Sequence, residues 1–270
     1  MIMTITTRLR SRLPVLLSLL ASAAGAAEQA APATGNTFIV GGGLATGARY
    51  SGSDQNMVAP VIVLDYSTPG GFFASTLRGL GYGSQAGPFS YSAALGYRGE
   101  RKEKNEKGLF GNSGSSQLKG MGDIKGNASA LLGIGYAIVP GLNVSLSTDL
   151  PLSQRDNGKT LQAGISGQLY AEGKENISLG LSAGFGDSKY GQTYYGVTAR
   201  QAANSRFKAY QAGSGLYEVN AMLTWAHQID ARWSVTTIVA ANRLVKDAAK
   251  SPLAERKTAP TAAVYASYNY

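Results

Sequence analysis

The chain has 270 residues, with 35 glycines, 15 tyrosines, no cysteine and a formal net charge of +9. Only 15% of the residues are charged, against a usual share of about 25%, yet the mean hydropathy is only −0.09. Gly, Ser, Thr, Asn, Gln and Tyr stand where charge is missing. The absence of cysteine excludes disulfides and thiolate metal sites. No internal apolar run approaches the ~20 residues that a helix needs to cross a bilayer. No basic stripe with interleaved aromatics is present, so nucleic acid is not an expected partner.

Residues 1–27 read as a secretory signal peptide. Arg8, Arg10 and Arg12 form a basic start, Leu13 to Leu20 a short apolar core, and Ala24-Gly25-Ala26 a small-residue cleavage site. Cleavage removes three arginines and no acid, leaving a mature charge of +6. Residues 28–35 are a short Ala/Pro-rich linker, and 36–270 form one domain.

From residue 36 onward the chain alternates. Leu161, Ala163, Ile165, Gly167 and Leu169 share one face, with Gln162, Gly164, Ser166, Gln168 and Tyr170 opposite. Ile177, Leu179, Leu181, Ala183 and Phe185 repeat the pattern against Ser178, Gly180, Ser182, Gly184 and Gly186. Phe89–Tyr97 and Leu142–Leu150 do the same. A two-residue period with small, uncharged polar faces fits strands that face lipid on one side and a narrow lumen on the other. A soluble sandwich would usually carry Lys and Glu on its outer face. Here charge collects between strands, most densely at 98–107 and 246–257.

The expected strands are 36–47, 57–66, 71–82, 88–99, 125–138, 141–150, 160–171, 176–186, 216–229, 232–244 and 260–270. Tight turns are expected at Ser67–Gly70, Pro140–Gly141, Glu172–Glu175 and Asp230–Ala231. Long loops are expected at 100–124, 187–215 and 245–259. Eleven strands conflict with the even number of single-chain bacterial barrels, and Tyr190–Thr198 offers a twelfth. The expected fold is all-β: a transmembrane antiparallel up-and-down β-barrel of about 12 strands, with 10 as the alternative.

The chain ends on Tyr268-Asn269-Tyr270. Counting back by twos gives Tyr270, Tyr268, Ala266, Val264 and Ala262 on one face. A final amphipathic strand with a terminal aromatic is the expected signal for the barrel-assembly machinery, and Tyr268 and Tyr270 are its residues. Signal peptide, alternation and terminal aromatic agree on the cell outer membrane, with its lipid as the first partner.

Several Gly- and Tyr-rich stretches then become recognisable in order: Gly41-Gly42-Gly43 with Tyr50-Ser51-Gly52-Ser53-Asp54, Gly71-Phe72-Phe73 with Arg78-Gly79-Leu80-Gly81-Tyr82, and Gly120-Met121-Gly122-Asp123-Ile124. Later come Gln192 to Val197, Ala209 to Leu216, and Asp247-Ala248-Ala249 with Ser251-Pro252-Leu253. Through these the chain resembles the MipA/OmpV family of MltA-interacting proteins over nearly its whole mature length. The resemblance implies an outer-membrane barrel that brings a murein-cleaving lytic transglycosylase near a murein synthase. It supplies no catalytic residues.

The residues themselves give no sign of an enzyme. His227 is the only histidine, beside a tight turn, and reads as an interfacial residue near Trp225 and Trp233. Paired carboxylates, a metal-ligand spacing and a phosphate loop are missing from the sequence, so no cofactor or metal is expected. Tyr190, Tyr194, Tyr195 and Tyr210 are the candidate functional residues. They fall in a long loop, where aromatics contact a partner or fold inward as a plug. The expectation is a non-catalytic scaffold. A narrow pore for small solutes or drugs and a surface adhesin are the alternatives.

Overall fold

The computed structural model describes residues 35–108 and 111–270. The expected signal peptide lies outside the described residues, as does all of the linker but its last residue. In chain order the strands are β1 (Thr37–Ala48), β2 (Asn56–Ser67), β3 (Phe72–Ser75), β4 (Gly79–Ala86), β5 (Phe89–Arg98), β6 (Glu106–Gly108), β7 (Gly111–Ser113), β8 (Asn127–Val139), β9 (Leu142–Pro151), β10 (Thr160–Glu172), β11 (Glu175–Gly186), β12 (Gly215–Gln228), β13 (Trp233–Leu244) and β14 (Thr258–Asn269). Three short helices lie in connections: α1 (Ser188–Tyr195), α2 (Ala199–Asn204) and α3 (Lys246–Lys250).

Twelve strands form one closed antiparallel barrel, β6 and β7 standing apart as a hairpin in the β5–β8 connection. Each barrel strand pairs with its neighbour in sequence, and β1 closes on β14 from Ile39↔Asn269 to Thr46↔Ala262. At that seam the backbones pack tightly. A Cβ on Gly43 would lie 2.0 Å from the Val264 carbonyl oxygen and 2.5 Å from the Tyr265 Cα, so only glycine fits. The final amide closes the ring, Tyr270 N–H donating to the Phe38 carbonyl at 3.0 Å.

The expected twelve strands are present, but the even count arises inside 71–82 and not at Tyr190–Thr198. The single expected strand 71–82 is two, β3 and β4. Ser75 Oγ accepts the Leu77 and Arg78 amides at 3.2 and 3.3 Å, turning the chain. Gly79 follows with φ +86°, a conformation that glycine alone adopts freely. Arg78 then reaches Asp65 as an ion pair at 2.6 Å and lies over the Phe73 ring at 4.3 Å. Tyr190–Thr198 forms most of helix α1, its first turn capped by Asp187, whose side chain accepts the Tyr190 amide at 2.8 Å. Because β3 is short, β2 is paired with it only from Asp65 to Ser67. Pro60 lies on the remaining free stretch, where its missing N–H leaves no ladder bond unmade.

The wall's outer face is apolar all round. Leu44, Val58, Leu80, Leu95, Ile134, Leu161, Leu181, Leu223, Val239 and Val264 are exposed on successive strands. At the rim of short turns this belt ends in paired aromatic rings: Phe38–Tyr270, Phe72–Tyr82, Phe89–Tyr136 and Trp233–Tyr268, at 4.8 to 5.6 Å. An apolar band bounded by aromatics is the exterior that a bilayer requires. Inside, the lumen is not uniformly polar. Met57, Ala59, Val61 and Val63 of β2 pack with Ala45, Ile238 and Ala263 as a buried cluster.

Tyr270→Lys puts a charge at the aromatic rim and into the terminal strand. We expect less heat-modifiable protein in the membrane fraction than for wild type at equal synthesis. Equal assembly would remove any role for the terminal aromatic.

Candidate functional site

The long connections gather at one rim, opposite the short turns and both described chain ends. They run 49–55, 99–126, 152–159, 187–214 and 245–257. The stretches that carry the resemblance in the sequence are far apart along the chain, but most of the loop ones meet at this mouth. Tyr50, Leu118, Met121, Val197, Phe207 and Leu253 form one buried cluster. Tyr195, Ala212, Leu244 and Ala248 form a second, joined by Tyr190, Tyr194, Tyr210 and Tyr217. Tyr195 is 1% exposed, Val197 2% and Leu253 0%, so the mouth is packed like a protein interior.

Helix α1 carries Tyr190, Tyr194 and Tyr195 into this packing. The Tyr190 ring lies 4.6 Å from Tyr194 and 4.8 Å from Tyr217 of β12. The Tyr195 hydroxyl meets Ser51 Oγ at 2.9 Å, and Ser251 Oγ donates to the Tyr195 carbonyl at 2.6 Å. Three loops are therefore tied at one residue. Tyr210 belongs to the same assembly: its backbone bridges to Val197, and its hydroxyl donates to the Asp247 carbonyl at 2.9 Å. The tyrosines expected to act together are thus brought together, Tyr210 at the edge of the group. Sequence reading did not find Tyr217, which looks like any strand residue until the barrel closes.

Two arginines hold the helix from below and from the side. Arg98, on the lumen face of β5, pairs with Asp149 of β9 at 2.9 Å and donates to the carbonyls of Asn157 and Gly158. Its guanidinium lies 5.4 Å from the Tyr190 ring centre, a distance at which cation–π attraction operates. Arg101 is only 6% exposed and donates to the Tyr194 carbonyl at 2.8 Å and the Thr193 carbonyl at 3.4 Å. A cation at the last turn satisfies carbonyls that the helix cannot and complements its dipole. No carboxylate pairs with Arg101 among the described residues. Burial accordingly pulls its pKa below the ordinary guanidinium value.

Burial also shifts the tyrosines. Tyr50 is pushed up to about 12, chiefly by desolvation, with Glu255 adding to the shift. Tyr190, Tyr194 and Tyr195 move the same way, desolvation being the largest cause in each. Neutral, buried phenols act as packing and hydrogen-bonding groups here, not as bases.

At the opposite rim, His227 pairs with Glu175 at 2.6 Å, and the same carboxylate accepts the Trp225 indole N–H at 2.6 Å. The imidazole sits 6.2 Å from the Trp225 ring, within the aromatic border. Among the described residues no group of three or more His, Asp or Glu side chains could hold a metal.

These features define a class: a closed twelve-strand transmembrane β-barrel whose loop-side mouth is filled by its own loops. A family model described as "MltA-interacting protein MipA" matches residues 40–270, and the chain belongs to that family. Among solved structures, it is similar to the KdgM porin (10% identity, 86% of this chain and 98% of that one, TM-score 0.37). It is also similar to the translocator domain of the autotransporter NalP from Neisseria meningitidis (10% identity, 93% and 92%, TM-score 0.42). No curated protein sequence matches it.

Arg101→Met removes both carbonyl contacts at the end of α1. We expect the plug to loosen by roughly 1–3 kcal/mol, read as faster hydrogen exchange of the α1 amides with the barrel amides unchanged. Unchanged α1 exchange would contradict the capping role. Alkaline titration gives a second test. Because the buried phenols have raised pKa values, their contribution to stability is complete below pH 10 and is lost as pH rises toward 12. Absorbance at 295 nm is expected to show a late group of tyrosines ionising as the mouth opens. A single titration near 10 for all tyrosines would contradict their burial.

Proposed function

We propose that the protein is an outer-membrane scaffold, docking murein-cleaving and murein-synthesising enzymes at its periplasmic rim and catalysing nothing itself. The observation that carries this reading is membership of the family of MltA-interacting proteins. The apolar belt supports placement in a bilayer, and short turns mark the periplasmic side of outer-membrane barrels. The turn rim, with Lys174, Asp230 and Arg232, is then the surface that faces periplasmic enzymes. The packed mouth supports a scaffold over a pore, since a solute would have to pass Tyr195, Val197 and Leu253, each 2% exposed or less. His227 supports a non-catalytic reading: Glu175 engages its Nδ1 at the aromatic border, away from the loops.

The test is photo-crosslinking in intact cells from residues placed at Lys174 and at Arg232. We expect capture of a lytic transglycosylase and a murein synthase from these turns, and not from a control position at Lys208 in the loops. Normal assembly with no capture of either enzyme from either turn would contradict the proposal.

A further inference from the structure

Charge is distributed very unevenly between the two rims. The five long connections carry seventeen Lys and Arg against nine Asp and Glu, a net +8. The short turns, with the flanking Glu172 and Glu175, carry two cations and three carboxylates. A net positive rim directly above an apolar wall matches a lipid surface that is anionic at its headgroups.

One part of this rim is built to hold cations in place. The connection 152–159 joins β9 to β10 and is bonded onto the start of β8: the Leu152 amide donates to the Ala128 carbonyl at 2.8 Å, and Ser153 Oγ accepts the Ala128 amide at 3.1 Å. Asn157 is buried, and its side-chain amide donates to the Lys125 carbonyl at 2.8 Å and to Asn127 Oδ1 at 2.6 Å. From the lumen, Arg98 holds the carbonyls of Asn157 and Gly158. This rigid frame carries Lys125, Arg155 and Lys159, all exposed and none ion-paired among the described residues. The nearby carboxylates are already engaged. Asp156 pairs with Lys189 at 2.8 Å, Asp123 with Lys102 at 3.1 Å, and Asp187 caps α1. Next to the three cations Leu152 of the connection and Leu161 of β10 are exposed.

We propose that Lys125, Arg155 and Lys159 form a docking surface for the phosphates of anionic glycolipid in the outer leaflet, with its acyl chains lying on the β8–β10 face. The inference rests on the outer-membrane orientation given above. It goes beyond the scaffold reading, because it concerns the opposite rim and a lipid partner. Lipid phosphate replaces the missing counter-charge, and the apolar wall below fixes where the headgroup sits.

The experiment uses the full barrel in detergent, titrated with lipopolysaccharide, with the same glycolipid after phosphatase treatment, and with phosphatidylglycerol. Native mass spectrometry or thermal stabilisation reads the affinity. The wild type is expected to prefer the phosphorylated glycolipid to both others. Replacing Lys125, Arg155 and Lys159 together by Gln is expected to weaken that binding by about 100-fold, while Arg200→Gln with Lys208→Gln leaves it unchanged. Binding that ignores the phosphates, equal binding of phosphatidylglycerol, or full affinity in the triple variant would overturn the proposal. Fractionation of cells producing the wild type or the triple variant separates the two readings. Outer-membrane barrel without phosphate-dependent binding sinks this inference alone, whereas absence of wild type from the outer membrane sinks the orientation beneath it.

Discussion

A backbone N–H or C=O left unpaired in a bilayer is costly, and the seam between β1 and β14 is where this chain joins its two ends, from Ile39↔Asn269 to Thr46↔Ala262. The stretch of β2 before Asp65, beyond the reach of the short β3, is the exception in the wall. A sheet with open edges would leave two rows of unpaired groups in hydrocarbon, at several kcal/mol for each group. Closure joins the two ends of the domain, so it waits for the last strand to arrive. Gly43 allows the two backbones to approach, and Tyr270 makes the last hydrogen bond to Phe38. The aromatic border follows from the same closure, because the Phe38–Tyr270 stack exists only when the two ends are neighbours.

Once the wall is closed, the rims are free to differ. One side needs only the shortest turns. The other has five longer connections, which bury Tyr195, Leu253 and Val197 in a second core above the lumen. Two cations, the half-buried Arg98 and the buried Arg101, contact the plug. Arg98 ties the wall to the 152–159 connection and lies beneath the tyrosines, and Arg101 closes the end of α1. The loops behave as a compact unit held by side chains, and the wall as a compact unit held by backbone. A change in the first should leave the second standing.

How much of this was legible in the sequence depended on period. β10 and β11 alternate so cleanly that the expected 160–171 and 176–186 match Thr160–Glu172 and Glu175–Gly186 almost residue for residue. The outward faces of Phe89–Tyr97 and Leu161–Leu169 were readable for the same reason. β2 was harder: Met57 to Leu64 is apolar on both faces, because its inner face packs in the lumen cluster and its outer face meets lipid. The break within 71–82 turns on Ser75 accepting the Leu77 and Arg78 amides and on Gly79 at positive φ. The Asp65–Arg78 ion pair beside it joins residues on two strands, which alternation cannot reveal. Tyr190–Thr198 looked like a strand because Tyr and Thr favour strands, whereas Asp187 capping and tertiary burial made it helical. A local signal did exist for the neighbouring helix: Thr198 and Gln201 have capping-box spacing, and both of its bonds form. Loop tyrosines could be singled out by composition. Their packing together, and the bonds of Tyr195 to Ser51 and Ser251, depend on long-range closure, which no local pattern encodes.

The central claim is that this barrel's passage is sealed by its own loops, and single-channel recording in a planar bilayer tests it most directly. Purified wild-type barrel should insert without steady conductance steps. If the wild type conducted steadily at low voltage, the loops would not be packed as described, and the scaffold reading would lose its structural support.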